Sequence, residues 1–215
     1  DTEAVSEEDK DKAIKWSSEY NLDAVFSTDG DGDRPLVSYE HGNWLRGDIL
    51  GLLCADALNI EALAVPVSCN TAIELSDKFD YVIAEFAQLA GQFNSVAGFE
   101  ANGGFLLGTD VILNDKQLKS LPTRDAMLPA IMLLAAADKD VISTLINALP
   151  QRFTCSDRIQ NFAREKSQTI IEQGKADPAK LLTTLGFQNI NITNVDETDG
   201  LRITLADGKI VHLRP

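Results

Sequence analysis

The sequence is poor in cysteine and histidine, and it lacks long apolar runs. Its 215 residues include two histidines and three widely spaced cysteines, a pattern that fits neither a zinc site nor a disulfide framework. An odd number of separated cysteines favours a reducing compartment, and we therefore predict a cytoplasmic location. The apolar stretch of residues 127–137 is far shorter than the ~20 residues of a membrane-spanning helix, so no membrane partner is expected.

Basic charge is scarce as well. The chain has 19 Lys and Arg against 33 Asp and Glu, which gives a formal net charge of −14. Such an excess of negative charge repels phosphodiester backbones, and we expect no nucleic-acid partner. The hydrophobic share of 44% and the charged share of 24% are typical of a globular protein of one large or two smaller domains.

Helical and strand patterns alternate over the first 150 residues, which predicts an α/β fold with an open sheet. After residue 150 a polar stretch precedes one helical segment and three short strands, which indicates a separate small α+β unit. The predicted helices are residues 7–20, 48–57, 81–89, 126–137, 141–149 and 177–185. The predicted strands are residues 23–26, 36–39 and 44–46 as a hairpin, 62–67, 95–98, 190–195, 201–205 and 210–213.

Three carboxylates alternate with two glycines in the acidic loop, Asp29-Gly30-Asp31-Gly32-Asp33. The glycines permit backbone conformations that aim all three carboxylates at one point. Two such charges ~4 Å apart repel by about 4 kcal/mol at an effective dielectric of ~20, and hard oxygen ligands suit Mg²⁺. A solvated acidic turn is the simpler alternative. An EF-hand is disfavoured because Arg34 stands where the calcium loop needs a glycine and because strands, not helices, flank the loop.

Two further groups of polar residues have both a functional and a structural interpretation. Arg34 could share an anionic oxygen with a bound metal, or it could form an internal salt bridge with the acidic loop. The sugar loop, residues 98–104, reads Gly-Phe-Glu-Ala-Asn-Gly-Gly and carries Glu100 and Asn102, whose carboxylate and amide suit sugar hydroxyls. A plain glycine-rich connection explains this loop equally well.

Three segments, in this order, resemble the α-D-phosphohexomutase family and most of all its bacterial phosphomannomutase/phosphoglucomutase members. They are Phe-Ser-Thr-Asp-Gly-Asp-Gly-Asp-Arg at 26–34, Gly-Asn-Trp-Leu-Arg-Gly-Asp at 42–48 and the sugar loop at 98–104. The resemblance implies that residues 1–33 end a second α/β domain with the metal loop. It also implies that residues 34–150 form a third α/β domain with the sugar loop, and that residues 151–215 form part of a small C-terminal α+β domain.

The activity implied by the resemblance is a reversible transfer of phosphate between the 1- and 6-positions of a hexose, through a phosphoserine and a bisphosphorylated sugar. Asp29, Asp31 and Asp33 would hold Mg²⁺, and Arg34 would stabilise the migrating phosphoryl group. Glu100 and Asn102 would bind hydroxyls of the phosphorylated hexose substrate, and Arg214 would belong to a phosphate-binding loop. Glucose or mannose 1,6-bisphosphate would act as activator.

The sequence also departs from the family pattern. The serine loop, Thr-Ala-Ser-His-Asn-Pro in relatives, is absent, and the Arg-Pro-Ser-Gly loop stops at Arg214-Pro215. A basic segment that relatives carry after a similar Phe-Asp is missing between Asp80 and Tyr81. We therefore expect an incomplete chain that is inactive alone. A non-catalytic module that binds a divalent cation or a sugar phosphate is the competing interpretation.

Overall fold

A computed structural model describes residues 2–79, 81–83, 86–89, 91–121, 123–138 and 140–215. Its backbone contacts divide the chain into two units, Asp1–Asp157 and Arg158–Pro215. The domain boundaries implied by the family resemblance stay a prediction. Among the described helices, none combines the length and the apolar character needed to cross a bilayer.

The first helix, α1, spans Glu7–Tyr20, in agreement with the sequence. Its start is fixed by Ser6, whose side-chain oxygen accepts a hydrogen bond from the backbone N–H of Asp9. Such a cap satisfies one of the backbone donors that the first turn leaves free. The helix ends at Asn21, which adopts the left-handed conformation with φ of 50°.

The acidic loop connects two antiparallel strands, β1 (Val25–Thr28) and β2 (Pro35–Ser38). The hairpin predicted between residues 36–39 and 44–46 is confirmed only in part. Ser38 and Trp44 share an isolated antiparallel bridge and the Leu45 N–H donates to the Val37 carbonyl, but residues 44–46 form no strand. The ladder partner of β2 is the strand before it. The ladder between the two strands ends in the pair Thr28 and Pro35, so the acidic loop is held at both of its ends.

A four-stranded mixed sheet forms the centre of the first unit, and helix α2 (Gly47–Ala57) precedes it. Its strand order is β4, β3, β5, β6; the first three are parallel and the last is antiparallel. This arrangement confirms the mixed α/β class. The strands are β3 (Ala62–Ala64), β4 (Tyr81–Ile83), β5 (Val96–Phe99) and β6 (Phe105–Leu107).

The helix predicted for residues 81–89 is wrong. β4 begins this segment, and a short 3-10 helix, Phe86–Leu89, follows it; residues 84 and 85 lie outside the described residues. The sequence Tyr-Val-Ile combines aromatic and β-branched residues, which fit a strand better than a helix. Parallel pairing with β3 supplies the hydrogen-bond partners that a sequence pattern does not show.

Phe99 and Phe105 anchor the sugar loop from both sides. Their rings stack with centroids 6.3 Å apart, and both side chains are buried. Complete burial of such a side chain contributes about 1.5–3 kcal/mol. The rest of this unit consists of a hairpin of β7 (Val111–Leu113) and β8 (Lys116–Leu118), followed by α3 (Met127–Ala137) and α4 (Ile142–Asn147).

The second unit has two helices and an antiparallel sheet in the order β11, β10, β9, with Leu182, Leu201 and Ile203 in its core. Its first helix was not predicted, because its sequence is polar and buries only Ile171 and Gly174. Its elements are α5 (Arg164–Ala176), α6 (Pro178–Thr184), β9 (Ile192–Asp196), β10 (Leu201–Leu205) and β11 (Ile210–Leu213).

Candidate functional site

The acidic loop gathers its three carboxylates. Asp29, Asp31 and Asp33 each offer a carboxylate oxygen, and these oxygens lie within 4.8 Å of one another. The loop closes through the backbone N–H of Gly32, which donates to the carbonyl of Asp29 at 3.2 Å. Gly32 has φ of +78°, a conformation that side chains other than glycine rarely adopt. The glycine therefore allows the turn that brings the carboxylates together.

Two oxygens in this loop are buried and accept no hydrogen bond within the described residues, Asp29 Oδ2 and Asp33 Oδ1. Arg34 Nε lies 2.6 Å from the first and 3.5 Å from the second, but its N–H forms a hydrogen bond with neither. Arg34 is therefore ion-paired with both carboxylates and neutralises part of their charge. Buried carboxylate oxygens without donors are destabilising unless a cation or donor satisfies them. The donor set, entirely carboxylate oxygen, fits a hard divalent cation such as Mg²⁺.

The charge state of Asp29 agrees with this picture. Burial acts to raise its pKa, but the hydrogen bond from the Arg34 backbone N–H, together with the Arg34 charge, lowers the pKa below its ordinary value. Asp29 therefore stays ionised to lower pH than an isolated aspartate. An ionised carboxylate is the form that binds a metal ion.

The sugar loop is a tight turn at the end of β5. Backbone hydrogen bonds join Glu100 and Gly104, and Glu100 and Gly103, each at 3.0 Å. The Asn102 side chain accepts a hydrogen bond from the Gly104 N–H at 3.0 Å, and its amide nitrogen lies 3.4 Å from Glu100 Oε2. Both predicted sugar-binding side chains are thus held beside each other by the loop itself.

Glycine at two positions allows this loop to lie close to neighbouring elements. Gly103 has φ of +96°, and a Cβ there would lie 2.7 Å from the Pro35 carbonyl oxygen of β2. A Cβ on Gly47, the first residue of α2, would lie 2.1 Å from the Gly103 nitrogen. Any side chain at either position would collide with backbone. The two glycines therefore set the position of the sugar loop against β2 and α2.

Arg124 joins the acidic loop to the sugar loop. Its Nη1 donates to Asp33 Oδ2 at 3.0 Å, and its Nη2 donates to Glu100 Oε2 at 2.6 Å. Sequence reasoning missed this residue, because no local motif marks it. Its position depends on backbone hydrogen bonds to β6, in which Leu121 donates to Leu107 and Asp125 donates to Phe105. The structure thus brings the metal and sugar candidates of the first unit into one site.

Arg214, the remaining predicted site residue, lies in the second unit. Its Nε is 2.8 Å from Asp199 Oδ2, and about half of its side chain is exposed. An ion pair this exposed contributes at most about 1 kcal/mol, so Arg214 could exchange Asp199 for a phosphate at low cost. Its role in substrate binding stays a prediction.

The start of α2 carries a buried network beside the sugar loop. The helix was predicted to begin at residue 48, but it begins at Gly47 and its cap position is Arg46. The Asp48 carboxylate is completely buried and pairs with Arg46 through two hydrogen bonds of 3.2 and 3.0 Å. It also accepts the backbone N–H groups of Ile49 and Asn70. This network is structural, since every one of its acceptors is already used.

Curated proteins match the chain along its whole length. A phosphomannomutase from Salmonella muenchen is 53% identical over 225 residues, which cover 100% of this chain and 47% of that protein. The chain is homologous to phosphomannomutases. A phosphomannomutase from Sinorhizobium fredii is 35% identical over 230 residues, covering 100% of the chain and 48% of the relative. The chain therefore spans about half the length of these phosphohexomutase relatives.

A solved structure has a fold similar to that of this chain. A crystal structure of a phosphoglucomutase/phosphomannomutase family protein from Burkholderia thailandensis aligns with a TM-score of 0.60 at 18% identity. The alignment covers 93% of this chain and 41% of that protein. At this identity the likeness supports the fold alone. No protein-family model matches the chain.

Proposed function

We propose that this chain forms the metal-binding and sugar-binding part of a phosphohexomutase, which moves phosphate between the 1- and 6-positions of glucose or mannose. The reaction would proceed through a phosphoserine and a bisphosphorylated sugar, with glucose or mannose 1,6-bisphosphate as activator. The observation that carries this proposal is the pair of hydrogen bonds from Arg124 to Asp33 and Glu100, which joins the acidic loop to the sugar loop. The names of the curated relatives support the same chemistry.

The acidic loop would serve the phosphoryl transfer. Asp29, Asp31 and Asp33 would hold Mg²⁺, which when bound supplies charge stabilisation to the oxygens of the migrating phosphoryl group. Arg34 lies within the same loop and keeps about a third of its side chain exposed. Its guanidinium nitrogens can therefore reach a phosphate oxygen while the charge stays close to Asp29. This arrangement would stabilise negative charge that develops during transfer.

The sugar loop would orient the hexose. Glu100 and Asn102 present an acceptor and a donor, and the turn around Gly103 fixes both residues. Directed hydrogen bonds of this kind orient a ring through neighbouring hydroxyls. Mannose and glucose share their 3- and 4-hydroxyl configuration, so we propose both phosphorylated hexoses as substrates. Arg214 would contact the substrate phosphate.

One sequence observation favours a second interpretation. The 215 residues contain no Thr-Ala-Ser-His-Asn-Pro loop, which carries the phosphoserine in relatives. We therefore propose that this chain by itself binds a divalent cation and a sugar phosphate without turnover. A binding module without catalytic activity would have the same two properties. The two interpretations differ in whether the natural protein that contains this chain converts substrate.

The activity of that natural protein tests the proposal. It is supplied with Mg²⁺, glucose 1,6-bisphosphate and mannose 1-phosphate, and the formation of mannose 6-phosphate is followed in a coupled assay. We expect product formation that stops when the metal is chelated and resumes when Mg²⁺ is restored. Product no higher than in the absence of protein would reject the mutase, and binding without product would favour the module.

Asp31→Asn provides the matching variant. Asp31 is the exposed member of the three aspartates, so its replacement opens no core. We expect activity to fall by about two orders of magnitude or more, because one of the carboxylates that neutralise the metal is lost. The same change should weaken Mn²⁺ binding to the 215-residue chain, measured by calorimetry. Full activity of this variant would contradict the assignment of the acidic loop.

A further inference from the structure

The guanidinium of Arg124 contacts both the acidic loop and the sugar loop. One terminal nitrogen donates to Asp33 in the acidic loop, and the other donates to Glu100 in the sugar loop. The side chain is 41% exposed. A Cβ on Gly104 would lie 2.8 Å from both Cδ and Nε of Arg124, so the glycine leaves the space that the arginine fills.

Asp33 is shared between Arg124 and the candidate metal position. Its Oδ2 accepts the Arg124 hydrogen bond, whereas its Oδ1 is buried 3.5 Å from Arg34 Nε and accepts no hydrogen bond among the described residues. A cation bound through Oδ1 and a guanidinium bound through Oδ2 draw on the same negative charge. The cation and the guanidinium therefore each weaken the binding of the other to Asp33, and their two positive charges also repel.

Arg124 weakens cation binding at Asp33, but it holds Glu100 in place. Its Oε2 accepts the second guanidinium hydrogen bond at 2.6 Å, while Asn102 lies 3.4 Å from the same oxygen. The carboxylate is 40% exposed, and without Arg124 it would be free to turn into solvent. Arg124 also adds positive charge next to the place where a sugar phosphate would bind. Arg124 therefore favours the binding of a sugar phosphate, whereas it opposes the binding of the cation.

We propose that Arg124 is a positioning residue that competes with the divalent cation for Asp33 while it orients Glu100 for the sugar. This inference rests on the proposed function and adds a coupling between its two binding events. As the cation withdraws charge from Asp33, the Arg124 guanidinium becomes more available to Glu100 and to an incoming phosphate. Cation binding thereby prepares the site for the sugar phosphate.

The test is the effect of Arg124→Gln on two separate affinities of the 215-residue chain. Calorimetry first measures the dissociation constant of Mn²⁺ alone, and then that of glucose 1-phosphate at saturating Mn²⁺. We expect Mn²⁺ to bind about two- to fivefold more tightly, the range that loss of a half-exposed ion pair allows. We expect glucose 1-phosphate to bind about tenfold more weakly, because charged hydrogen bonds in the site are lost. A merely structural role would weaken both affinities together.

Arg124→Lys separates charge from the forked geometry. Lysine keeps the positive charge but cannot donate to both carboxylates with a planar fork. We expect an Mn²⁺ affinity close to that of the unmodified chain. The glucose 1-phosphate affinity should lie between that of the unmodified chain and that of Arg124→Gln. Arg152→Gln is the control, because Arg152 is an exposed arginine of the same unit. It should change neither affinity.

Gly104→Ala keeps the inference testable if Arg124→Gln does not fold. The added methyl would lie 2.8 Å from Arg124 Cδ and Nε and 3.1 Å from Glu100 Oε2, so it disturbs the contact between these two side chains without changing any charge. We expect weaker glucose 1-phosphate binding with Mn²⁺ binding retained or strengthened. Parallel loss of both affinities in folded Arg124→Gln, or no change in either, overturns the role of Arg124 and leaves the proposed function standing. If the unmodified chain binds neither Mn²⁺ nor glucose 1-phosphate, the proposed function fails and this inference fails with it.

Discussion

Two clusters of aspartate and arginine lie in the first unit, and they differ in how their oxygens are used. In the Asp48 and Arg46 cluster, each carboxylate oxygen accepts one hydrogen bond from the guanidinium and one from a backbone N–H. In the acidic loop, Asp29 and Asp33 each keep one buried oxygen that accepts none from the described residues. The residue types are the same, but only in the first cluster does every carboxylate oxygen accept hydrogen bonds. In the second, one oxygen of Asp29 and one of Asp33 have only the ion pair with Arg34.

This difference separates a structural ion pair from a candidate binding site. Asp48 is completely buried, and Arg46 donates its third hydrogen bond to Ser156 at 2.8 Å. The pair therefore connects the start of α2 to the chain near residue 156, and nothing in it is left for a ligand. The acidic loop retains acceptor capacity and an exposed member, Asp31. Unused acceptors, and not the number of charges, mark the site.

The largest effect that would test this comparison is on stability. Asp48→Ala removes the buried partner of a partly buried arginine, Arg46, and leaves two backbone N–H groups without an acceptor. We expect the free energy of unfolding to fall by about 3–5 kcal/mol, as measured by urea denaturation. Asp31→Asn is the matched change in the other cluster, and we expect it to stay within about 0.5 kcal/mol because it is exposed and relieves repulsion. Equal losses in the two variants would remove the distinction between the clusters.

A smaller effect concerns the geometry of the acidic loop. Gly32→Ala places a side chain at φ of +78°, which should lower the free energy of unfolding by about 1 kcal/mol and turn the neighbouring carboxylates away from one another. Gly30→Ala is its control, because a Cβ there meets open space and no positive φ opposes it. We expect Mn²⁺ affinity to fall only in Gly32→Ala. Equal Mn²⁺ affinities in the two variants would show that the loop turn does not aim the ligands.

The smallest effect involves Glu40, a satisfied carboxylate that is less buried than Asp48. Its two oxygens accept the Ser143 N–H at 3.2 and 3.3 Å, at the start of α4. Burial acts to raise the pKa of Glu40, but the hydrogen bonds from Ser143 lower it below 4.5. The resulting stabilisation is present above the unfolded-state pKa and is lost as pH falls through the lower folded-state pKa.

Glu40→Gln should therefore be less stable than the unmodified chain at pH 6 by a few tenths of a kcal/mol, since the group is partly exposed and screened. This difference should shrink as the pH is lowered through the folded-state pKa, below which the glutamate is protonated in both states. Urea denaturation across this pH range measures it. A difference that grows on acidification would contradict the lowered pKa of Glu40.

Local patterns were sufficient for some elements and insufficient for others. Helix α1 followed from its Ser6 cap, and the turn of the acidic loop followed from alternating aspartate and glycine. Segment 81–89 was mistaken for a helix because a three-residue strand carries little periodicity of its own. Its strand state depends on parallel pairing with β3, which lies about twenty residues earlier in the chain. Helix α5 was missed because a polar helix with two buried residues lacks an apolar stripe.

The sequence by itself determined the resemblance to phosphohexomutases, the acidic loop and the sugar loop, because each of these depends on a few consecutive residues and not on distant neighbours. Only the tertiary structure decided that the two loops share a contact residue. Arg124, which joins them, lies 91 residues from Asp33 and 24 from Glu100 along the chain. Contacts over such separations are set by the packing of strands and loops, so no local pattern of residues can reveal them.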